Sequence, residues 1–231
     1  MRFSKIELGQ LGICILVVGF CFSFGRFFDS EGQPFTTNLM NFFVSMLVSI
    51  VAVGFGFLFH EVAHKLTAQR YGCWAEFRIW KAGLIIAVAT SVLSFGSFIF
   101  LAPGAVHTVS SRKLSVKEEG HISCAGPLTN LVLGVLFYIL YALHGSWGQV
   151  GDFRWHLEIL GLTLNSYPDN IFKLIGEFGF KVNWWLAAFN LIPFGPLDGV
   201  NIFNWNKTVW SILVVLAWGF LLLAAFGVFT L

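Results

Sequence analysis

His60-Glu61-Val62-Ala63-His64 sets two imidazoles four residues apart with a carboxylate beside the first. On an α-helix that spacing stacks both rings on one face, so their nitrogens can converge on one zinc ion at about 2.0–2.1 Å. Glu61 is then placed to take a proton from a water whose pKa the ion lowers towards about 7. The same residues admit a plainer use, because Glu61 and Lys65 stand at i and i+4, the spacing of a surface ion pair on a helix. Location separates the two readings. The motif directly follows the uncharged run Met40 to Phe59. Ionisable groups there are costly near lipid and usually face a protein interior or a watery cavity, in the service of function.

A catalytic zinc takes three protein ligands and keeps one position open, which leaves one ligand to find. Glu76, Glu118 and Glu119 lie among basic residues in a polar stretch, and Asp152, Glu158, Asp169 and Glu177 fall between two apolar runs. Asp198 differs from all of them. It closes Asn190-Leu191-Ile192-Pro193-Phe194-Gly195-Pro196-Leu197-Asp198, where prolines and glycines break an apolar segment containing Trp184 and Trp185. Pro193 and Pro196 prevent a regular helix, so the chain is expected to run extended at membrane depth, which is tolerated only where protein buries it or it lines a cavity. No Lys or Arg falls within eight positions of Asp198 on either side, and a metal is the expected source of compensating charge. The alternative is a loop at the bilayer edge with Asp198 in water.

The elements that must position these groups are membrane helices. Of the 231 residues 57% are hydrophobic, 11% are charged and 27 are Phe, more apolar surface than a soluble domain of this size can hide. Met40 to Phe59, Cys124 to Leu143 and Thr208 to Leu231 carry no charge, and each reaches the length of roughly 18 residues that a crossing needs. Leu8 to Phe24 is shorter and flanked by Arg2, Lys5 and Arg26; no small-x-small cleavage site follows it, so it reads as a retained helix. The expected fold is an all-α membrane protein of about five transmembrane helices, in one membrane-embedded domain over residues 1–231, with a short strand pair around Trp74 to Trp80. Cys14, Cys21, Cys73 and Cys124 lack CxxC spacing and read as apolar filling. A net charge of +2 with no arginine-rich face or phosphate loop excludes a nucleic-acid partner.

The segments His60-Glu61-Val62-Ala63-His64 through Gly72, Asn190 through Gly199, and Ala125-Gly126-Pro127-Leu128-Thr129-Asn130 together resemble the site-2 protease family of intramembrane zinc metalloproteases. In that family an HExxH helix, a GPxxN element and an NxxPxxxLDG-type segment occur in this order, and the three pieces with their helices cover about half of this chain. The resemblance implies a three-helix catalytic core and one zinc held by His60, His64 and Asp198. It makes Glu61 the activator of water and Asn190 a residue that helps to hold the substrate or the developing oxyanion. It also implies regulated intramembrane proteolysis of a membrane-spanning protein or peptide at the lipid bilayer. The chain shows no PDZ-like or nucleotide-sensing extra domain, and Leu84 to Ala102 is unusually apolar where the family has a small membrane-associated sheet.

Orientation follows from basic residues. Arg2 and Lys5 place the N-terminus in the cytosol, and Lys65, Arg70, Arg78, Lys81, Arg112, Lys113 and Lys117 place there everything between the second and third spans. The expected location is the cell membrane, with the mouth of the site on the cytosolic side. If Leu84 to Ala102 dips in and returns, His60, the start of the GPxxN element and Asp198 meet on one side; if it crosses, Asp198 lands opposite His60 unless a further crossing falls between Trp155 and Phe180. Thr90, Ser91, Ser94 and Ser97 suit a partly watery re-entrant segment. His107 and His121 flank the polar stretch, which leaves a place near the site open to them, although solvated loop histidines are the commoner reading; His144 and His156 fall on the far side, and Lys173, Glu177 and Lys181 form a solvated helix face. Two rival readings are a membrane zincin using Glu158 or Glu177 as third ligand and a non-catalytic transporter or scaffold.

Overall fold

The computed structural model describes residues 3–27, 35–101, 103–145 and 171–225. Asp152, His156, Glu158 and Asp169 lie outside them. The element order is α1 (Lys5–Ser23), α2 (Phe35–Ser49), α3 (Phe55–Arg70), β1 (Trp74–Ile79), α4 (Lys81–Leu93), β2 (Gly104–Val109), α5 (Val116–Gly145), α6 (Ile171–Asn190), α7 (Asp198–Trp205) and α8 (Lys207–Ala225). A π-helical turn over Ile50–Gly54 joins α2 to α3 without a break in the chain's direction.

Three helices among the described residues are long and apolar enough to cross a bilayer: Lys5–Ser23, the continuous Leu39–Arg70 and Val116–His144. Side chains such as Leu16, Ile85, Leu136 and Val215 are exposed on the helices, a surface suited to lipid and costly in water. Two of the five expected crossings are not reached by this measure. α6 carries Lys173, Glu177 and Lys181, and the apolar part of α8 is described over Lys207–Leu222, shorter than a crossing.

The sheet that flanks Leu84 to Ala102 is consistent with the expected re-entry. β1 and β2 pair antiparallel with Ile79 opposite Gly104, so the chain returns to the place it left. The intervening α4 has 13 residues and rises about 20 Å, short of the roughly 30 Å hydrocarbon core. It turns at Phe95 and Gly96, whose φ values of 52° and 80° lie in the left-handed region. Gly96 abuts the backbone of Gly25 so closely that a Cβ on either would overlap the other's chain. Three of the hydroxyls here, those of Thr90, Ser91 and Ser94, pair with backbone. Thr90 Oγ1 accepts from Phe100 N at 3.1 Å, Ser94 Oγ accepts from Phe98 N at 2.9 Å, and Ser91 Oγ donates to the Cys21 carbonyl at 2.7 Å. Groups that lipid cannot solvate are thereby paired. All four cysteines are free and buried, as the sequence suggests.

Candidate metal centre

His60, Glu61 and His64 lie on α3 and are buried. Nε2 of His60 and Nε2 of His64 are 3.0 Å apart, and Asp198 Oδ2 lies 3.3 Å from the first and 3.2 Å from the second. Corners of a tetrahedron about 2.0–2.1 Å from a central ion are separated by about 3.3–3.4 Å, so this triangle has nearly the edge of a zinc site.

The far side of each ring decides what the near side offers. Asn130 gives its amide hydrogens to the Gly56 carbonyl at 3.2 Å and to Asn183 Oδ1 at 2.9 Å, which leaves its oxygen as acceptor for His60 Nδ1 at 2.6 Å. His64 Nδ1 faces the Ile122 carbonyl at 2.8 Å, which can only accept. Both imidazoles therefore carry their proton on Nδ1 and turn the Nε2 lone pair to the centre, the tautomer that metal-binding histidines take. Three acceptors then converge with no donor between them. A proton relieves one pair, whereas a cation at the centre satisfies all three, and the donor set of two imidazoles and a carboxylate fits zinc.

Neighbouring helices are shaped to this arrangement. α5 approaches at Gly126, where a Cβ would overlap Nε2 of both rings. Pro127, inside α5, removes an amide from the helical ladder beside Ile122. Asn183 is fully buried on α6 and donates to the Ala52 carbonyl at 2.9 Å and the Gly179 carbonyl at 2.8 Å. The π turn that contains Ala52 is thus tied to His60 through Asn183 and Asn130; π turns recur at functional sites.

Asp198 arrives by another route. α6 ends at Asn190, and the next seven residues form turns, with Gly195 at φ 60°, in place of the extended run expected from the prolines. The carbonyls freed at this helix end are taken by tryptophans of α8: Trp218 Nε1 donates to Ala188 at 3.0 Å and Trp210 Nε1 to Leu191 at 2.8 Å. Asp198 opens α7, and Gly199 packs so tightly on the Leu191 carbonyl that no Cβ would fit.

The triangle opens on a cavity of about 1020 Å³. Phe57, Phe100, Leu101, Leu186 and Phe189 line an apolar part, and Arg78, His107, Thr108, Glu119, Ser123 and Asn201 bring polar groups to it. Glu61 reaches the same space. Val106 of β2 lines it as well, and Glu61 Oε2 is buried without a partner among the described residues. Asn190 also lines the cavity and spends one amide hydrogen on the Leu186 carbonyl at 2.9 Å.

Other candidates are engaged elsewhere. Glu76 pairs with Arg78 and Ser4, Glu118 with Arg112, and Glu177 with Lys181. Glu119 lines the cavity without joining the triangle. His107 stands on β2 opposite Glu76, and His121 meets the Tyr71 hydroxyl and the edge of Trp205; neither is a loop residue. Lys65 overturns the plainer reading of the motif, since its partner is Glu7 of α1, in a buried pair. Asn183 and Glu7 carry no motif, and only packing reveals them.

An HExxH helix facing a carboxylate inside an apolar helical bundle defines the class of membrane-embedded metallopeptidases. Residues 48–213 match peptidase family M50, and the chain belongs to that family, the site-2 protease family of zinc metalloproteases. It is 35% identical over 225 residues, 97% of each chain, to a protein of Methanocaldococcus jannaschii provisionally named a zinc metalloprotease. A Bacillus subtilis protein with a similar provisional name is 26% identical over 160 residues, 66% of each chain. No solved structure matches.

Proposed function

We propose that the protein is an intramembrane endopeptidase that hydrolyses peptide bonds of membrane-spanning substrates, with zinc held by His60, His64 and Asp198. The observation that carries this reading is the triangle of acceptors at 3.0–3.3 Å beside the unpartnered Oε2 of Glu61 in a largely apolar cavity. Zinc bound there supplies Lewis acidity, lowering the pKa of a water towards about 7 and polarising a carbonyl. Glu61 takes the proton at Oε2 as the water oxygen attacks the scissile carbonyl carbon. When the C–N bond breaks it delivers that proton to the leaving amine, so the water is fully consumed. Asn190 keeps a second amide N–H for the developing oxyanion or the substrate backbone. His60 and His64 are held in orientation by Asn130 and Ile122.

A helix hides its carbonyls in i to i+4 bonds, so the substrate must unwind before attack. β2 supports an extended substrate, because β1 is its sole strand partner among the described residues and the stretch 104–108 lines the cavity. The site mouth faces the cytosol in the cell membrane on the count of basic residues. Cysteines at Lys81 and Arg112 are then expected to react with an impermeant reagent from the cytosolic face alone; labelling of both from the other face would reverse the orientation, and labelling from opposite faces would show that Leu84 to Ala102 spans.

The function is tested by reconstituting purified protein in vesicles with a membrane-spanning substrate. Cleavage is expected to stop with a zinc chelator and return with about one zinc per chain. Cleavage that survives complete zinc removal would sink the proposal.

A further inference from the structure

Antiparallel pairing turns alternate residues towards and away from the partner strand. The bond from Trp80 N to the Pro103 carbonyl at 3.0 Å sets the phase in the β1–β2 sheet. Trp74, Glu76 and Arg78 therefore direct their backbone groups to β2, while Phe77 and Ile79 direct theirs outward. By the same alternation Gly104, Val106 and Thr108 direct theirs away from β1, and all three line the cavity that Glu61 also lines, so this edge meets the site.

Among the described residues the outward edge of β1 has no strand beside it, yet its amides are paired. Phe77 N donates to Glu7 Oε1 at 3.1 Å and Ile79 N to Gln10 Oε1 at 3.0 Å. The two acceptors stand one helical turn apart on α1 and replace a third strand. Glu7 is fixed in turn by Lys65 of α3, the residue after His64, and both are 1% exposed. Ser4 accepts from Glu7 N at 3.0 Å as the helix cap and donates to Glu76. Hydrolysis uses none of these groups.

We propose that Glu7 and Gln10 are positioning residues that keep the inner edge of β2 formed in the absence of substrate, an inference that rests on the protease reading. Two strands alone are marginally stable. A sheet that frays must be ordered again by each substrate that binds its edge, and apparent affinity falls by the competent fraction. Once substrate is bound the sheet is whole and the chemical step is unaffected.

The test uses the full chain in vesicles. Gln10→Met removes the acceptor, and a lost hydrogen bond of this kind is worth about tenfold. KM for a membrane-spanning substrate should rise by that factor, with kcat and zinc content within about twofold of wild type, while Gln10→Glu, which keeps the oxygen, restores KM. A second pair is independent of Gln10: E7L with K65M removes the acceptor of Phe77 and should raise KM, whereas E7Q with K65M keeps it and should not. Hydrogen exchange in substrate-free protein should show Ile79 N–H unprotected in Gln10→Met and protected in Gln10→Glu. A fall in kcat at constant KM overturns the proposal, as does equal behaviour of the acceptor-free and acceptor-keeping variants, or unchanged exchange at Ile79. The exchange arm needs no substrate, so wild-type protein that failed to cleave would sink the protease reading and leave this arm to decide the clamp.

Discussion

Glu61→Gln is expected to keep its zinc and its fold while kcat falls by about 10²- to 10⁴-fold, the usual worth of a positioned general base. The change is nearly isosteric, so the side chain keeps its place on α3 at the cavity. What is lost is the ability to hold a proton at Oε2, and that oxygen is buried with no partner. An unpaired buried acceptor costs about 1–3 kcal/mol, more when charged, so the substitution should leave thermal stability equal or higher. A merely structural glutamate would behave in the opposite way, losing stability along with activity. Metal analysis, a melting curve and single-turnover cleavage of a membrane-spanning peptide check the three statements together. Turnover retained in the variant would place the base elsewhere and leave Glu61 without a role.

The groups that this chemistry needs were legible in the sequence because each is anomalous where it stands. Two histidines and a carboxylate ending an apolar run have few structural uses in lipid, and Asp198 lacks a cationic neighbour. Re-entry of Leu84 to Ala102 is expected for another reason: crossing would separate residues that resemblance requires to meet, and the Ile79 to Gly104 pairing is consistent with a return. The supports were not legible. Lys65 reads as the partner of Glu61 because the i, i+4 rule sees only its own helix, whereas Glu7, 58 positions upstream, wins through burial between α1 and α3. Asn183 sits in an amphipathic helix like any polar residue, and its value appears once α5 and the π turn are packed against it. The hydroxyls of Thr90 and Ser94 suggest water but pair with backbone, as amides that lipid cannot solvate require.

Asp198→Asn is expected to lower zinc affinity by more than about a hundredfold, since even the partners behind metal ligands are worth about 10–100-fold, and cleavage should fall with it. The substitution keeps size and polarity and removes the charge that faces both Nε2 atoms at 3.2–3.3 Å. Asp198→Glu is the sharper probe. Retreat of the backbone would have to absorb the extra methylene, but Gly199 already lies against the Leu191 carbonyl and α8 tryptophans hold the end of α6. The carboxylate oxygens are thereby displaced well beyond the tolerance of about 0.2 Å on metal–ligand distances, so the glutamate should bind zinc weakly and cleave slowly although its charge is intact. Glu177→Gln supplies the control: that carboxylate is paired with Lys181 and about a third exposed, and its loss should change neither zinc content nor rate. Zinc titration of the reconstituted variants with a competing chelator reads out the series. Full occupancy and full cleavage in Asp198→Asn, with loss of both in Glu177→Gln, would move the third ligand to the glutamate and break the link between the α3 motif and the proline-broken segment before α7.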